Sequence, residues 1–423
     1  MSLDALKKRV ATVVDGMRNE LLGLSHAIHQ EPELALQEFR AAERLTASVA
    51  AHGLPVQREA FGLKTAYSSE FGTGGANIAI LSEYDALPGI GHACGHNIIA
   101  TSGLGAALAL AALGDELPGR VRYLGTPAEE RFGGKEIMAR AGAFDHLDAA
   151  MMMHPANLDL TTMPCIAISE VEATYHGRAA HAAAMPYRGL NALDAVVTAY
   201  QTIAQLRQHI RQTERIHGII TEGGLAANIV PEKASCRFYV RAADVQQLAE
   251  LKRRVQACFD AGAVATGCKL DLRWGNTDYL DLKTNWPIAD AFQRNAEGLG
   301  RQFFPMKDIP PGFAGSTDMG NVSHRVPSIH PMFAVAPAGV VIHNAEFATW
   351  AASERGDAAV LDGAKALAQT ALDLMYETQL LERVKSDFDA TAELSRRALA
   401  MLHESSGAPA SDLHSHAQGC GCP

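Results

Sequence analysis

The segment from Glu83 to His96, E-Y-D-A-L-P-G-I-G-H-A-C-G-H, places acidic, imidazole and thiol side chains in one short stretch. Thiolate and imidazole groups, here offered by Cys94 and His96, are ligands that suit Zn²⁺ and similar divalent ions. The proline and glycines between them mark a loop that can bend around an ion. The segment therefore predicts a metal-binding loop.

Further candidate ligands follow apolar, strand-like runs elsewhere in the chain. The run A-N-I-A-I-L leads into the loop, V-R-Y-L-G-T-P-A-E-E ends in Glu129 and Glu130, A-A-M-M-M-H-P contains His154, and A-G-V-V-I-H-N contains His343. Open α/β sheets place their chemistry at the carboxyl ends of strands. The recurrence favours one functional site over chance placement of polar residues beside apolar runs.

The pattern of apolar residues predicts how these segments are arranged. Helical spacing at residues 3–30 and 32–53 is followed by alternating strands and helices up to His154, which is typical of an α/β sheet with crossover helices. Between residues 169 and 283 the order becomes strand, helix, strand, strand, helix, strand, the ferredoxin-like arrangement. Because His343 follows this insert, the catalytic domain must be discontinuous. We predict a catalytic domain at 1–168 and 284–400, an inserted domain at 169–283 and a flexible tail at 401–423.

Composition is ordinary for a globular enzyme and excludes some classes of protein. The chain has 423 residues, of which 48% are hydrophobic and 20% charged, and its net charge of −10 argues against nucleic-acid binding. Its first residues lack an apolar signal core, which indicates the cytoplasm. The run from Ile98 to Gly114 is rich in alanine and glycine, and we interpret it as a buried helix and not as a membrane span.

Seven cysteines without regular spacing do not suggest a disulfide framework and fit a reducing compartment. The last residues form a separate feature, in which glycine, serine and proline favour a flexible extension. Metal capture by this tail is an alternative, and it would use His414, His416, Cys420 and Cys422.

Several motifs occur in the order and spacing of the M20 metallopeptidases: H-A-C-G-H, T-P-A-E-E, M-M-M-H-P, H-G-R-A-A-H-A-A, G-S-T-D and H-N-A-E-F. The chain resembles the amidohydrolase branch of that family from about residue 28 to about residue 385. The motifs S-E-Y-D-A-L-P-G-I-G-H-A-C-G-H-N and R-I-H-G-I-I are most similar to the M20 domain dipeptidase and aminobenzoyl-glutamate hydrolase subgroup. The resemblance implies a mixed sheet flanked by helices, an inserted ferredoxin-like lid and dimerisation domain, and a homodimer.

The resemblance also implies a divalent metal centre with one or two ions per subunit, with Mn²⁺, Zn²⁺ and Co²⁺ as candidates. Such a centre polarises a bound water toward hydroxide, and a neighbouring carboxylate can take its proton. Adjacent residues at a strand end face opposite sides, so Glu130 can bind an ion while Glu129 faces the substrate as the general base. The expected ligands are Cys94, His96, Glu130, His154 and His343.

Four further residues match positions with roles in the family. His181 matches the histidine that stabilises the oxyanion, commonly across the dimer. Asn228 and Arg241 match positions that hold the carboxylate of the substrate, a task that suits the guanidinium fork, although a surface salt bridge is the alternative for Arg241. We expect Asp85 to orient a ligand histidine without binding the ion itself.

Some positions depart from the family pattern. Asn97 follows C-G-H where many members have aspartate, and Asn344 stands beside the final expected ligand where an aromatic residue or threonine is common. These changes leave the ligand set intact and bear on the substrate, the metal and the number of ions. The motif G-S-T-D, from Gly315 to Asp318, and the histidine of I-H-P, His330, are expected to line the pocket.

Together these features predict a hydrolase that cleaves the amide C–N bond of a small N-acyl amino acid or an unusual dipeptide. A second hypothesis keeps the same hydroxide but has it displace ammonia from an activated aromatic amine such as an aminobenzoate. A third is a non-catalytic metal-binding dimer. The presence of Glu129 beside a complete ligand set argues against the third hypothesis, because a binding protein needs no general base.

Overall fold

The computed structural model describes residues 1–310 and 312–405 and divides into two compact units. The first unit contains Met1–Pro164 and Leu282–Arg396, and the second contains Cys165–Asp281 and the residues from Arg397 to the end of the last described helix. The four candidate metal-capturing residues of the tail lie outside the described residues: His414, His416, Cys420 and Cys422.

Helices and strands are numbered along the chain. The helices are α1 (Leu3–Gly16), α2 (Arg18–Gln30), α3 (Phe39–Ala51), α4 (His96–Ala111), α5 (Gly134–Arg140), α6 (Ala192–Leu206), α7 (Val245–Thr266), α8 (Trp286–Gly298), α9 (Met319–Ser323), α10 (Ala345–Ala351), α11 (Glu354–Tyr376), α12 (Thr378–Asp389) and α13 (Ala392–Ser405). The strands are β1 (Gln57–Arg58), β2 (Tyr67–Gly72), β3 (Asn77–Ser82), β4 (Arg120–Gly125), β5 (Ala149–Met151), β6 (His154–Ala156), β7 (Ala167–His176), β8 (Arg215–Glu222), β9 (Lys233–Ala242), β10 (Lys269–Trp274), β11 (Ser328–Ile329) and β12 (Met332–Ala334).

A mixed six-stranded sheet forms the centre of the first unit, in the order β1-β2-β4-β3-β5-β11. Strand β3 is parallel to β4 and β5, whereas β2 is antiparallel to β4. All six residues of β3 are buried, as expected of a central strand covered on both faces. A separate pair of short parallel strands, β6 and β12, carries His154 at the start of β6.

Helices cover both faces of this sheet. Successive residues of β3 point to opposite sides, so Ile78 and Ile80 join one core with α1, α2, α4 and α11, while Ala79 and Leu81 join the other core with α5 and α9. Helix α4 is buried from His96 to Leu110, which agrees with the buried helix predicted there. Among the described residues, no helix is long and apolar enough to span a membrane. The predicted α/β class, with a mixed sheet flanked by helices, is confirmed.

The second unit contains one antiparallel sheet in the order β10-β7-β9-β8, with α6 and α7 packed on it. Burial alternates along β7, because side chains such as Val171 face the helices while their neighbours face outward. The element order is the strand, helix, strand, strand, helix, strand order expected from the sequence. The predicted ferredoxin-like insert is therefore confirmed.

One predicted strand is wrong. The apolar run before His343 forms turns, in which the N–H of Val340 donates to the carbonyl of Pro337 at 2.9 Å. His343 then adopts a left-handed backbone with φ of 63°, and Asn344 caps α10 through its side chain. Proline and glycine at the start of the run close a turn, and this local preference overrides the strand propensity of the valines and isoleucine.

Candidate metal centre

The loop between β3 and α4 is shaped by Gly95. Its φ is 77°, and a Cβ at this position would lie 2.5 Å from Cγ of Pro155, so a side chain is excluded by both conformation and space. Because Gly95 turns the chain directly into α4, Cys94 and His96 are held against the segment that carries His154. The glycine in H-A-C-G-H thus brings residues distant in sequence into one site.

Cys94, His96 and His154 form the first group of potential ligands. One ligand atom from each lies within 4.8 Å of the other two, and all three residues are buried. Cys94 Sγ is 3.4 Å from Nε2 of His154. His154 Nδ1 lies 2.7 Å from the carbonyl oxygen of Pro155, which places the imidazole hydrogen on Nδ1 and leaves the lone pair of Nε2 facing Cys94.

Cys94, Glu130 and His343 form a second group, so the thiol of Cys94 belongs to both. His343 Nε2 is 3.4 Å from Sγ of Cys94 and 3.5 Å from Oε2 of Glu130. The left-handed backbone of His343 is stabilised by its N–H, which donates to the carbonyl of Ala93 at 2.9 Å. Such a conformation is uncommon outside glycine, and here it aims the imidazole at the centre.

His96, Glu129 and Glu130 form a third group. Nε2 of His96 is 4.0 Å from Glu129 Oε2 and 3.8 Å from Glu130 Oε1. One carboxyl oxygen of each residue thus approaches the same imidazole. The two residues lie in a turn after Ala128, whose φ is 63°, so the strand alternation assumed from the sequence does not apply there. The separate roles of Glu130 as ligand and Glu129 as general base stay a prediction.

Asp85 forms hydrogen bonds to two residues of this third group, His96 and Glu130. Nδ1 of His96 donates to Oδ1 of Asp85 at 3.0 Å, and Oδ2 of Asp85 accepts from the backbone N–H of Glu130 at 2.9 Å. One carboxylate therefore orients the imidazole and holds the loop that carries the acidic pair. This is the arrangement expected of a residue that positions ligands.

Four residues of the centre are costly to charge without a cation: Glu129, Glu130, Cys94 and His154. Burial raises the pKa of Glu129 well above its ordinary range, and the neighbouring Glu83 and Glu130 add to the effect. Burial likewise raises the pKa of Glu130 to about 7 and that of the Cys94 thiol well above its ordinary range, and it lowers the pKa of His154 to about 3. An ion with two positive charges would offset the charge of the ionised carboxylates and thiolate.

These residues fit a divalent ion. Nε2 of His96 and Oε1 of Glu130 are buried and have no hydrogen-bond partner among the described residues. Buried polar atoms are rarely left without a partner, and a thiolate, imidazole and carboxylate set suits Zn²⁺, Mn²⁺ or Co²⁺. Because two of the groups share Cys94, the residues present could hold two ions side by side.

The second unit carries the other expected site residues. His181 is exposed, and its Nδ1 accepts from the backbone N–H groups of Ala183 at 3.3 Å and Ala184 at 3.1 Å. Its hydrogen must therefore be on Nε2, which makes the outer nitrogen a donor. The segment of Asn228 lies alongside, because its carbonyl accepts from the N–H of Ala182 at 3.0 Å.

Arg241 lies in β9 of the second unit. Its Nε donates to Nε2 of His217 on the neighbouring strand at 3.3 Å, and burial lowers its pKa. The sequence did not single out His217, although the motif R-I-H-G-I-I contains it. The pairing follows from register, since Arg215 lies opposite Arg241 and His217 opposite Tyr239.

Sequence reasoning also missed a buried charged cluster beside the centre. The ammonium of Lys135 is fully buried and contacts Glu83 and Asp318, the aspartate of G-S-T-D. A lysine that follows two glycines at the start of a helix is expected to be exposed. The surrounding sequence therefore does not predict that Lys135 is buried. His330 is fully buried too, and its ring packs edge-on against His154 with the ring centres 5.3 Å apart.

The two asparagines that depart from the family pattern have structural partners. Nδ2 of Asn97 donates to Oγ of Ser25 at 2.9 Å and to the carbonyl of Ala351 at 3.0 Å. Oδ1 of Asn344 accepts from the N–H of Glu346 at 3.0 Å and begins α10. Both residues thus hold the segments that flank the ligands.

Comparison with known proteins finds a matching family model and several relatives. The model of peptidase family M20/M25/M40 matches residues 79–373. The Xaa-Arg dipeptidase of Mus musculus is 41% identical over 401 residues, which cover 91% of this chain and 93% of that protein. One of the subunits of the p-aminobenzoyl-glutamate hydrolase of Escherichia coli strain K12 is 26% identical, with 88% of this chain and 93% of that protein covered.

A solved structure supports the fold. A Bacillus subtilis protein described as a dinuclear metal binding peptidase from the M20 family superposes with a TM-score of 0.64 at 20% identity. The match covers 85% of this chain and 99% of the other. The resemblance to M20 enzymes expected from the motifs is confirmed.

Proposed function

The chain belongs to peptidase family M20/M25/M40, whose related members are hydrolases of carbon–nitrogen bonds, and we propose that it cleaves the amide bond of a small N-acyl amino acid or an unusual dipeptide. The observation that carries the proposal is the sharing of Cys94 between two ligand groups beside Glu129. The identity to an Xaa-Arg dipeptidase makes dipeptides that end in a basic residue the first substrates to test.

The proposed ligands are Cys94, His96, Glu130, His154 and His343, with Asp85 orienting His96. Divalent ions held there would polarise the substrate carbonyl and make a bound water acidic enough to act as a nucleophile near neutral pH. Two ions agree with the two groups that share Cys94 and with the description of the Bacillus subtilis relative. Mn²⁺, Zn²⁺ and Co²⁺ all suit this donor set.

Glu129 is the proposed general base. Its carboxylate lies 4.0 Å from Nε2 of His96. From this place it can take a proton from the attacking water and return it to the amine that leaves.

The residues of the second unit would bind and polarise the substrate. His181 would donate from Nε2 to the oxyanion, since its Nδ1 is already an acceptor. Asn228 and Arg241 would hold the substrate carboxylate, and the guanidinium fork suits that group. As the family resemblance implies, we propose that the second unit serves as lid and dimerisation domain, with His181 acting across a homodimer.

A reducing location such as the cytoplasm is part of the proposal. Among the described residues, Cys94, Cys236, Cys258 and Cys268 are free thiols. A reducing compartment would keep the Cys94 thiolate available for metal.

The test compares Glu129→Gln with the unchanged protein after loading with Mn²⁺ or Zn²⁺. We expect kcat to fall by about 10²- to 10⁴-fold while the metal content, measured by mass spectrometry, stays the same. Glu70→Gln is the control, because Glu70 is a surface carboxylate paired with Arg122, and it should keep full activity.

Products decide between the hypotheses. Dipeptides, N-acyl amino acids, aminobenzoyl-glutamate and electron-poor anilines would be screened by mass spectrometry with ammonia measured in parallel. Amide cleavage without ammonia supports the proposal. Ammonia from an aryl amine would replace it with the deaminase hypothesis, and tightly bound metal with no turnover on any substrate would support the non-catalytic dimer.

A further inference from the structure

Glu83, Lys135 and Asp318 form a charged cluster whose side chains are all fully buried. The Lys135 ammonium donates to Oε2 of Glu83 and, at 2.7 Å, to Oδ1 of Asp318. The backbone N–H of Lys135 donates to Oδ2 of Asp318 at 2.9 Å. Both oxygens of Asp318 are therefore bonded to Lys135, and this pair is complete by itself.

The charges in this cluster do not balance. Lys135 and Asp318 neutralise each other, so the carboxylate of Glu83 adds a negative charge where no water reaches it. Carboxyl oxygens of Glu129 and Glu130 lie within 4.0 Å of Nε2 of His96, the same atom that Glu83 faces. Lys135 thus contacts two carboxylates with one positive charge, and a cation next to Glu83 would balance the remaining negative charge.

One oxygen of Glu83 faces the metal centre. Oε1 is buried, has no hydrogen-bond partner among residues 1–310 and 312–405, and lies 3.7 Å from Nε2 of His96. That nitrogen is itself buried and finds no hydrogen-bond partner in the described part of the chain. Two ligand atoms at ~2.1 Å from one ion are ~3 to 4 Å apart, so the separation fits two atoms that contact a common ion or its water.

We propose that Glu83 is an additional carboxylate of the metal centre, whose Oε1 contacts the ion bound by His96 or a water on that ion. Lys135 and Asp318 are positioning residues, because they fix Oε2 and so aim Oε1. The inference rests on the metal centre proposed above and adds to it a residue that lies outside the expected ligand set.

The test is Glu83→Gln, which keeps the size of the side chain and leaves the Lys135–Asp318 pair balanced. Binding of Mn²⁺ to the metal-free full chain would be measured by titration calorimetry. We expect the dissociation constant to rise about 10- to 100-fold, the range for loss of a group that supports a metal ligand. The metal-free variant should melt at or above the temperature of the metal-free wild type, since one surplus buried charge is gone.

Glu136→Gln is the matched control. Glu136 is also a fully buried carboxylate and directly follows Lys135, but its oxygens accept from Arg325, Arg140 and Asn321. Loss of this network should lower the melting temperature of the metal-free protein and leave the affinity for Mn²⁺ unchanged. The two variants are thus expected to change the melting temperature of the metal-free protein in opposite directions, and only Glu83→Gln is expected to change the dissociation constant for Mn²⁺.

The inference is overturned if Glu83→Gln binds Mn²⁺ as tightly as the wild type and melts lower, like Glu136→Gln, because Glu83 is then a structural partner of Lys135. Should Glu83→Gln not fold, Glu83→Asp replaces it, since it keeps the charge and withdraws the carboxylate by one methylene. Weaker Mn²⁺ binding by Glu83→Asp supports the role, and unchanged binding refutes it. Failure of the wild type to bind any ion would instead refute the metal centre itself.

Discussion

The candidate site residues of the first unit and those of the second unit differ in burial and in the contacts that hold them. In the first, Cys94, His96 and His154 are buried and contact one another although they come from separate segments of the chain. In the second, His181 and Asn228 are exposed, and His181 is held by the backbone of residues that follow it directly. The carboxyl groups of the first are costly to ionise because they are buried, whereas the second presents exposed polar side chains.

The two units therefore have different proposed tasks: the residues of the first bind the metal ions, and those of the second act on the substrate during turnover. A change in the buried group should alter ion affinity first and turnover as a consequence. A change in the second unit should alter turnover with the ions still in place. Variants that break this rule would show that one of the two sets has been assigned the wrong task.

The largest effect is expected for Cys94→Ala. Because Cys94 belongs to two ligand groups, its loss should lower metal affinity more than about 100-fold and reduce turnover to background. Metal content after dialysis and activity would both be measured. Cys236→Ala, which removes another buried thiol from β9, should leave both unchanged, and a Cys94→Ala protein that keeps its metal would contradict the shared ligand.

His181→Ala should give an intermediate effect. Loss of one oxyanion donor is expected to lower kcat about 10²- to 10³-fold, with metal content unchanged. Steady-state kinetics of the metal-loaded protein would measure it. His176→Ala, at the exposed end of β7, serves as the control with normal kinetics. Loss of metal in His181→Ala would contradict the expectation that residues of the second unit affect turnover without affecting metal binding.

The smallest effect is expected for the pH dependence of unfolding that comes from Glu38, which lies beside the turn carrying Glu129 and Glu130. Glu38 is buried and accepts from the N–H of Ala128 at 2.9 Å and from Oγ1 of Thr65 at 2.8 Å. Burial, with a contribution from Asp85, raises its pKa from 4.5 to about 8. The folded protein thus favours the protonated acid, and the stability contributed by Glu38 is complete below pH 4.5 and lost as the pH rises through about 8.

Glu38→Gln should remove this part of the pH dependence. Between pH 5.5 and 8.5 the metal-free wild type should lose on the order of 1–3 kcal/mol more unfolding free energy than the variant, measured by urea denaturation. Glu43→Gln, on the exposed side of α3, should keep the slope of the wild type. Parallel curves for wild type and Glu38→Gln would show that Glu38 is ionised in both states.

Most of the framework was predictable from periodicity and turn residues. The central strand β3, the buried helix α4 and the element order of the insert follow from apolar spacing, which reports which faces are covered. The run before His343 was not predictable in this way, because a turn at Pro337 competes with strand propensity and prevails. Strand alternation, from which the orientation of Glu129 and Glu130 was predicted, does not apply either, since both residues lie in a turn after the left-handed Ala128.

By itself, the sequence determined the family, the fold class and the candidate metal ligands. Thiol, imidazole and carboxylate chemistry belongs to the side chain and can be recognised from motifs. Only the tertiary structure decided that Cys94 is shared between two groups, that both acidic neighbours approach His96, and that Glu83 and Lys135 lie beside them. These facts depend on distances between segments and on exclusion of water, which no local pattern encodes.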